Sequence, residues 1–353
     1  MTLRLPVTTI LAVVLSLALA ACGSVEDSAS ADADAAAADA DAAAADADAA
    51  GSEAAPTDGG DGGGAVTITD AGGEEITLDA PATEVVGLEW GPVEHLVSLG
   101  VMPVGVADVE GYTNWVQAAP LDDGVSDVGM RGEPSVDAIV ALDPDLVVAT
   151  TDLASNVVEQ IEQAVPVLVV RGASAEAPIQ QMRDNLELIA EAVGKTDEAE
   201  QLLADFDEAI AEGARRIADA GLEGREFAMA DGYQEGSSVS IRMFTDGSLI
   251  GAVGEELGLV NAWTGEGDPD YGLAQTDVEG LTALGDVEFL YYDNAAVSAQ
   301  DPFADGLAGN AIWESLPFVE AGNVHRLPDG IWMFGGPASV EQWIDAAVET
   351  LTS

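Results

Sequence analysis

Cations are the scarcest feature of this chain. Lysine occurs once, at Lys195, and lysine and arginine together number 10 against 65 aspartates and glutamates, a formal charge of −55. Phosphate recognition needs clustered positive side chains, so nucleic acid is excluded as a partner. Cys22 is the single cysteine, which excludes an internal disulfide and a thiolate metal site. Two histidines, His95 and His325, are too few for the multi-histidine sites that hold zinc or manganese, so no protein-built metal centre is expected. Aromatic residues make up only 5% of the chain, and those that stand at strand exits are candidates for a binding surface as well as for the core. Surfaces this acidic fit either salt-rich surroundings or simple solubility.

At 353 residues the chain has room for two lobes and a tail. Residues 1–22 read as an export signal: Arg4 precedes the apolar run Ile10–Leu19, which is too short for a comfortable membrane span. The run ends in Leu19-Ala20-Ala21-Cys22, which resembles the bacterial lipobox and implies a lipid on Cys22 and a position on the extracytoplasmic face of the cell membrane. Residues 23–64 are almost wholly Ala, Asp, Gly and Ser and cannot form a core. Repelling aspartates favour an extended tether with a coil span of roughly 35–40 Å.

From Ala65 onward the pattern is α/β: two lobes with mainly parallel sheets joined by one long helix. In the N-terminal lobe, 65–177, Val66–Thr69 and Glu75–Leu78 flank Asp70-Ala-Gly-Gly73 as a hairpin. Strands follow at Val85–Leu88, Pro103–Val106, Asp145–Ala149 and Val167–Val170, with helices between them, which implies parallel pairing. The interlobe helix is Pro178–Val193, with apolar residues at Ile179, Met182, Leu186, Ile189, Ala190 and Val193 on one face and Gly194 as the stop. A second helix capped by Thr196 opens the C-terminal lobe, 194–353. That lobe has strands at Glu226–Met229, Val239–Phe244, Val287–Tyr292 and Val324–Leu327, and helices at Gly247–Leu257 and Ser339–Leu351. One internal echo stands out: Val136-Asp137 and Val278-Glu279 each place an acid near the start of a helix that leads into a strand. First-turn acids ordinarily stabilise the helix dipole.

Several blocks are more specific. Leu88-Glu-Trp-Gly-Pro-Val-Glu-His-Leu96, Asp127-Val-Gly-Met-Arg-Gly-Glu-Pro-Ser-Val-Asp137, Arg242-Met-Phe-Thr-Asp-Gly-Ser-Leu249 and Gly330-Ile-Trp-Met-Phe-Gly-Gly-Pro337, in that order, resemble the periplasmic-binding-protein family for iron siderophores, with the ferric hydroxamate and ferric citrate branches nearest. The resemblance covers 65–353. It implies two α/β lobes on a helical backbone, no catalysis, no cofactor, and an iron(III) siderophore complex as ligand, whose own oxygens hold the metal. By this resemblance Trp90, Tyr112, Trp115, Tyr271, Trp332 and Phe334 line the cleft, and Arg131 matches the family arginine that contacts hydroxamate. Arg131 and Arg242 each follow or end a strand-like segment in an otherwise anionic chain, where unpaired cations would attract chelate oxygens. Pairing with a local acid such as Glu133 is the alternative for Arg131. Asp137 and Glu279 match the carboxylates that, one on each lobe, dock into the two permease subunits of an ABC importer with its ATPase. A monomer is expected.

Rival readings have weaker support. Haem or cobalamin could occupy the same fold. A surface-associated hydrolase would need a nucleophile, but Gly247-Ser-Leu-Ile-Gly251 has the wrong spacing for an elbow. Gly194-Lys195-Thr196 lacks the first glycine of a phosphate loop, and Gly60–Gly64 has no strand before it.

Overall fold

The computed structural model of the chain describes residues 64–236 and 238–353. The signal, the tether and Cys22 lie outside the described residues. The N-terminal sheet has five strands in the order Ser126–Asp127, Gly105–Val106, Val85–Gly87, Leu146–Thr150 and Val167–Val170, all parallel. Both faces are covered, so its strands are continuous apolar runs: Val85, Leu146, Val148 and Val170 face one cluster, Val86, Val147 and Ala149 the other. The expected hairpin forms as Val66–Thr69 against Glu75–Leu78.

The C-terminal sheet is mixed. Its path runs Leu273–Thr276, Ser238–Phe244, Glu226–Glu235, Glu288–Tyr291 and Val324–Arg326, with Val260–Asn261 also paired to the long strand Glu226–Glu235. The latter three strands of that path pair in parallel, as expected, whereas Glu226–Glu235 and Ser238–Phe244 are antiparallel. The reversal occurs at Gly236, whose φ of +63 suits a tight turn that a side chain would strain. This hairpin overhangs the rest of the sheet, because the pairing of Glu226–Glu235 with Glu288–Tyr291 stops at Ala230.

The helix Pro178–Val193 has the expected bounds, with Pro178 in its first turn and Gly194 in the left-handed conformation after it. Ile179 and Met182 pack in the C-terminal core, and Leu186, Ile189, Ala190, Ala192 and Val193 pack in the N-terminal core. The next helix, Thr196–Asp219, repeats the crossing in the opposite sense, with Ala199 and Leu203 in the N-terminal core and Phe206 and Ile217 in the C-terminal one. Two antiparallel helices therefore span the lobes where one was expected, and residue 194 does not open the C-terminal lobe. Thr196 is not the cap either. Lys195 occupies that position, because the left-handed Gly194 turns the chain at once, and no side chain caps the helix. The helices at Leu249–Glu256 and Pro337–Thr352 lie within two residues of their expected bounds.

Candidate ligand cleft

The N-terminal lobe contributes the turn after Val85–Gly87. Glu89 precedes the helix Trp90–Ser98, but its carboxylate does not cap it; it accepts a hydrogen bond from Arg131 Nη1 at 3.1 Å. Burial pushes the Glu89 carboxyl above its ordinary value, the Arg131 charge pulls it back, and Asp152 pushes it up again. Arg131 comes from a tight hairpin, Gly129–Met130 against Glu133–Pro134. Its guanidinium lies 4.0 Å from the centroid of the Trp90 ring and 5.6 Å from that of Trp332.

In the C-terminal lobe, Asp231 and Arg242 are cross-strand partners on the overhanging hairpin. Arg242 Nε donates to Asp231 Oδ1 at 3.0 Å, Arg242 Nη2 donates to Oδ2, and the Tyr292 hydroxyl adds a third bond to Oδ2 at 3.0 Å. Both arginines are thus already paired, contrary to expectation, and the partner of Arg131 is Glu89 rather than Glu133. Burial and the neighbouring carboxylates hold the hydroxyls of Tyr271 and Tyr292 well above the ordinary phenol range, beside Asp152 and Asp231 respectively. Both phenols are neutral donors.

Aromatic rings join the two halves. Trp332 packs edge-on against Trp90 at 4.8 Å and against Phe334 at 5.0 Å; Trp115 meets Tyr292 at 5.8 Å; Tyr271 meets Phe334 at 5.7 Å. Across the floor, the Tyr271 hydroxyl donates to Asp152 Oδ2 at 2.5 Å, a bond between lobes. These groups enclose a cavity of about 540 Å³, within the range of small-molecule sites.

The cavity brings together Trp90, Trp115, Arg131, Arg242, Tyr271, Trp332 and Phe334. Tyr112 is not among its lining residues. It is fully buried in the N-terminal lobe, where its hydroxyl donates to the Ala119 carbonyl at 2.7 Å, so the expected cleft aromatic belongs to the core. Glu89, Asp152, Asp231, Tyr233 and Tyr292 also line the cavity and escaped the sequence reading. Asp231 was within reach of it: a turn at Gly236 places residue 231 opposite residue 242.

Asp137 and Glu279 are both exposed. Asp137 sits in the first turn of Val136–Ala141, which Ser135 caps, whereas Glu279 precedes a single 3₁₀ turn, Gly280–Ala283, whose first amide bonds to Asp277. The expected pair of equivalent helices is therefore one helix and one 3₁₀ turn. Among the described residues neither acid makes a side-chain hydrogen bond or an ion pair. No group of three or more His, Cys, Asp or Glu side chains there could hold a metal ion, and no helix there is long and apolar enough to cross a membrane.

Two lobes bridged by helices around an aromatic cleft define a solute-binding architecture. Residues 85–330 match the periplasmic binding protein family, and the chain belongs to it. It is 29% identical over 260 residues to the iron(3+)-hydroxamate-binding protein FhuD of Escherichia coli (strain K12), covering 74% of this chain and 84% of that one. A probable siderophore-binding lipoprotein, YfiY of Bacillus subtilis (strain 168), is 25% identical over 304 residues, 80% of this chain and 86% of its own. Among solved structures, the Fe3+-Desferal-bound siderophore-binding protein FhuD from Vibrio cholerae superposes with a TM-score of 0.68 at 25% identity, covering 77% of this chain and 98% of that chain.

Proposed function

We propose that this chain is the extracytoplasmic receptor of an ATP-driven importer and captures an iron(III) siderophore complex in the interlobe cleft. The observation that carries this reading is the cleft itself, with π-faces, two guanidiniums and two neutral phenols around a cavity of about 540 Å³. Such a surface suits a complex whose iron is already coordinated by its own oxygens and which presents apolar edges and a few acceptors outward. The hydroxamate and siderophore names of the relatives support the same ligand class. No catalytic step is assigned. Cys22, lipidated, would hold the receptor at the membrane as a monomer, and the lipoprotein name of one relative supports an anchored, extracytoplasmic location. Asp137 and Glu279 would meet the two permease subunits.

Titration of the purified protein with ferrioxamine B, ferric dicitrate, haem and cobalamin, followed through quenching of the cleft tryptophans, tests the ligand class. Quenching by a ferric siderophore at micromolar or lower concentration is expected; saturable binding of haem or cobalamin alone would replace this reading with the rival ligands. Mass spectrometry of the membrane-extracted protein is expected to find a diacylated Cys22 as the first residue, and a mature N-terminus elsewhere would remove the anchor.

A further inference from the structure

The charge balance of the cleft runs against the simplest use of its arginines. Six charged side chains line the cavity: Glu89, Asp152, Asp231 and Asp293 carry four negative charges, and Arg131 and Arg242 carry two positive ones. Each guanidinium is matched by one carboxylate, Arg131 by Glu89 and Arg242 by Asp231. Among the described residues Asp152 has no cation partner, and Asp293 has only a share in one. Asp152 accepts only hydroxyl hydrogen bonds, from Thr150 Oγ1 at 3.2 Å and from Tyr271. Asp293 accepts from the Ser298 hydroxyl and pairs with Arg326 at 3.9 Å, but that one guanidinium also serves Asp301 and Asp329 at 3.0 and 2.7 Å, three acids to one cation. Arg171, beside a small side cavity, has its own acid in Asp270 at 4.0 Å. The lining therefore carries two more negative than positive charges, with the excess at Asp152 on one lobe and at the under-compensated Asp293 on the other.

Resting on the ferric-siderophore reading of this site, we infer that the cleft selects iron(III) chelates with no net negative charge and prefers those bearing a pendant ammonium, for which Asp152 and Asp293 are the counter-charges. The chemistry separates the ligand classes. Three singly charged hydroxamates neutralise iron(III), so an amine tail makes the complex a cation, whereas tris-catecholates and ferric dicitrate remain anionic. An anion entering this cleft meets that excess of negative charge on carboxylates beside indole and phenyl rings, where charge contacts are stronger than in water. A cation meets those carboxylates and ring faces together. Arg131 and Arg242 still donate to chelate oxygens, but as ion-paired groups they position the complex and add little net charge. The cleft is neutral at each arginine and negative on balance at Asp152 and Asp293, which fits a neutral metal core with a positive appendage.

The test compares two ligands of identical iron coordination: ferrioxamine B, singly cationic, and its N-acetyl derivative, neutral, with ferric dicitrate as the anion. On the full protein at low salt, the cationic complex is expected to bind about tenfold tighter than the acetylated one, the scale of one partly screened charge contact. Asp152→Asn with Asp293→Asn should abolish that preference and bring ferric dicitrate up by about tenfold. Both substitutions are isosteric and keep an acceptor for Tyr271 and Ser298, and high salt on the unaltered protein should erode the preference without any substitution. Equal affinity for the acetylated and free-amine complexes would overturn the charge selection and leave ferric hydroxamate binding intact. Binding of ferric dicitrate in preference to both would likewise overturn it, and failure of all three would remove the siderophore reading itself.

Discussion

Glu94 in the N-terminal lobe and Ser339 at the start of the last helix share two hydrogen bonds in a fully buried site: the Ser339 amide donates to Oε1 at 2.8 Å and its hydroxyl to Oε2 at 2.6 Å. A carboxylate from one lobe thus serves the N-terminus of the helix Pro337–Thr352 in the other, where the first amides lack intrahelical partners. Ser339→Ala leaves one carboxylate oxygen unpaired in the interior. It is expected to cost about 1–3 kcal/mol in urea unfolding, the penalty of a stranded buried polar atom. An unchanged midpoint would mean that the hydroxyl contributes nothing there.

His95, the neighbour of Glu94, makes a pH prediction. Burial lowers its imidazole to about 4 from an ordinary 6.5, so the folded state holds it neutral while the unfolded chain takes up a proton below 6.5. Stability from this residue is present above 6.5 and is lost as pH falls toward 4, by about 3 kcal/mol at most. Burial raises Glu94, which works in the opposite direction: the folded state holds its proton more tightly than the unfolded chain, so its contribution improves on acidification. The difference in unfolding free energy between the unaltered protein and His95→Gln, measured from pH 7 down to 4.5, isolates the histidine. A difference that does not vary with pH would mean that folding leaves the His95 pKa unshifted, and one that grows on acidification in favour of the unaltered protein would mean that the fold holds it protonated.

Arg131→Ala and Arg242→Ala should each weaken ferrioxamine B binding by about 1.5–3 kcal/mol, the worth of a charged hydrogen bond. Because each guanidinium is paired, each change also strands Glu89 or Asp231 at the cleft wall. Restoring neutrality with Glu89→Gln beside Arg131→Ala, or Asp231→Asn beside Arg242→Ala, separates the two effects by calorimetry. Recovery of full affinity in the double variants would assign the arginines to charge balance rather than to ligand contact.

Asp137 and Glu279 are exposed and carry no side-chain hydrogen bond among the described residues, and the caps nearest to them come from Ser135 and Asp277. Replacing both by Ala is expected to leave folding and chelate affinity within about 0.5 kcal/mol, as surface changes do. Uptake of radiolabelled iron at limiting concentration should fall, more so at low salt. Normal uptake by the double variant would remove both residues from permease docking.

Much of this molecule was legible in the chain. Pro178 and Gly194 delimit the interlobe helix because the first fits where no amide partner is needed and the second turns left-handed without strain. The buried strands announced themselves as short apolar runs. What stayed hidden depends on register and depth. The Asp231–Arg242 pair requires the hairpin register, and the Glu89–Arg131 pair joins residues 42 positions apart in sequence. Tyr112 misled for the reverse reason: nothing local reveals that the Ala119 carbonyl waits for its hydroxyl inside the lobe. The second crossing by Thr196–Asp219 was missed because its apolar face is continuous in sequence, although it is shared between two cores in space.

That second crossing ties the two jaws of the cleft with two rods instead of one. The two helices run about 24 and 36 Å by their residue counts, each gripped at both ends by a different core. Widening the jaws means shearing apolar side chains out of packed interiors at four places at once. Little change in the gap is therefore expected on binding, so a ligand would spend little free energy on ordering its host. Its residence time would then rest on the cleft contacts, and whatever unloads the cargo would work against those contacts or against the two rods.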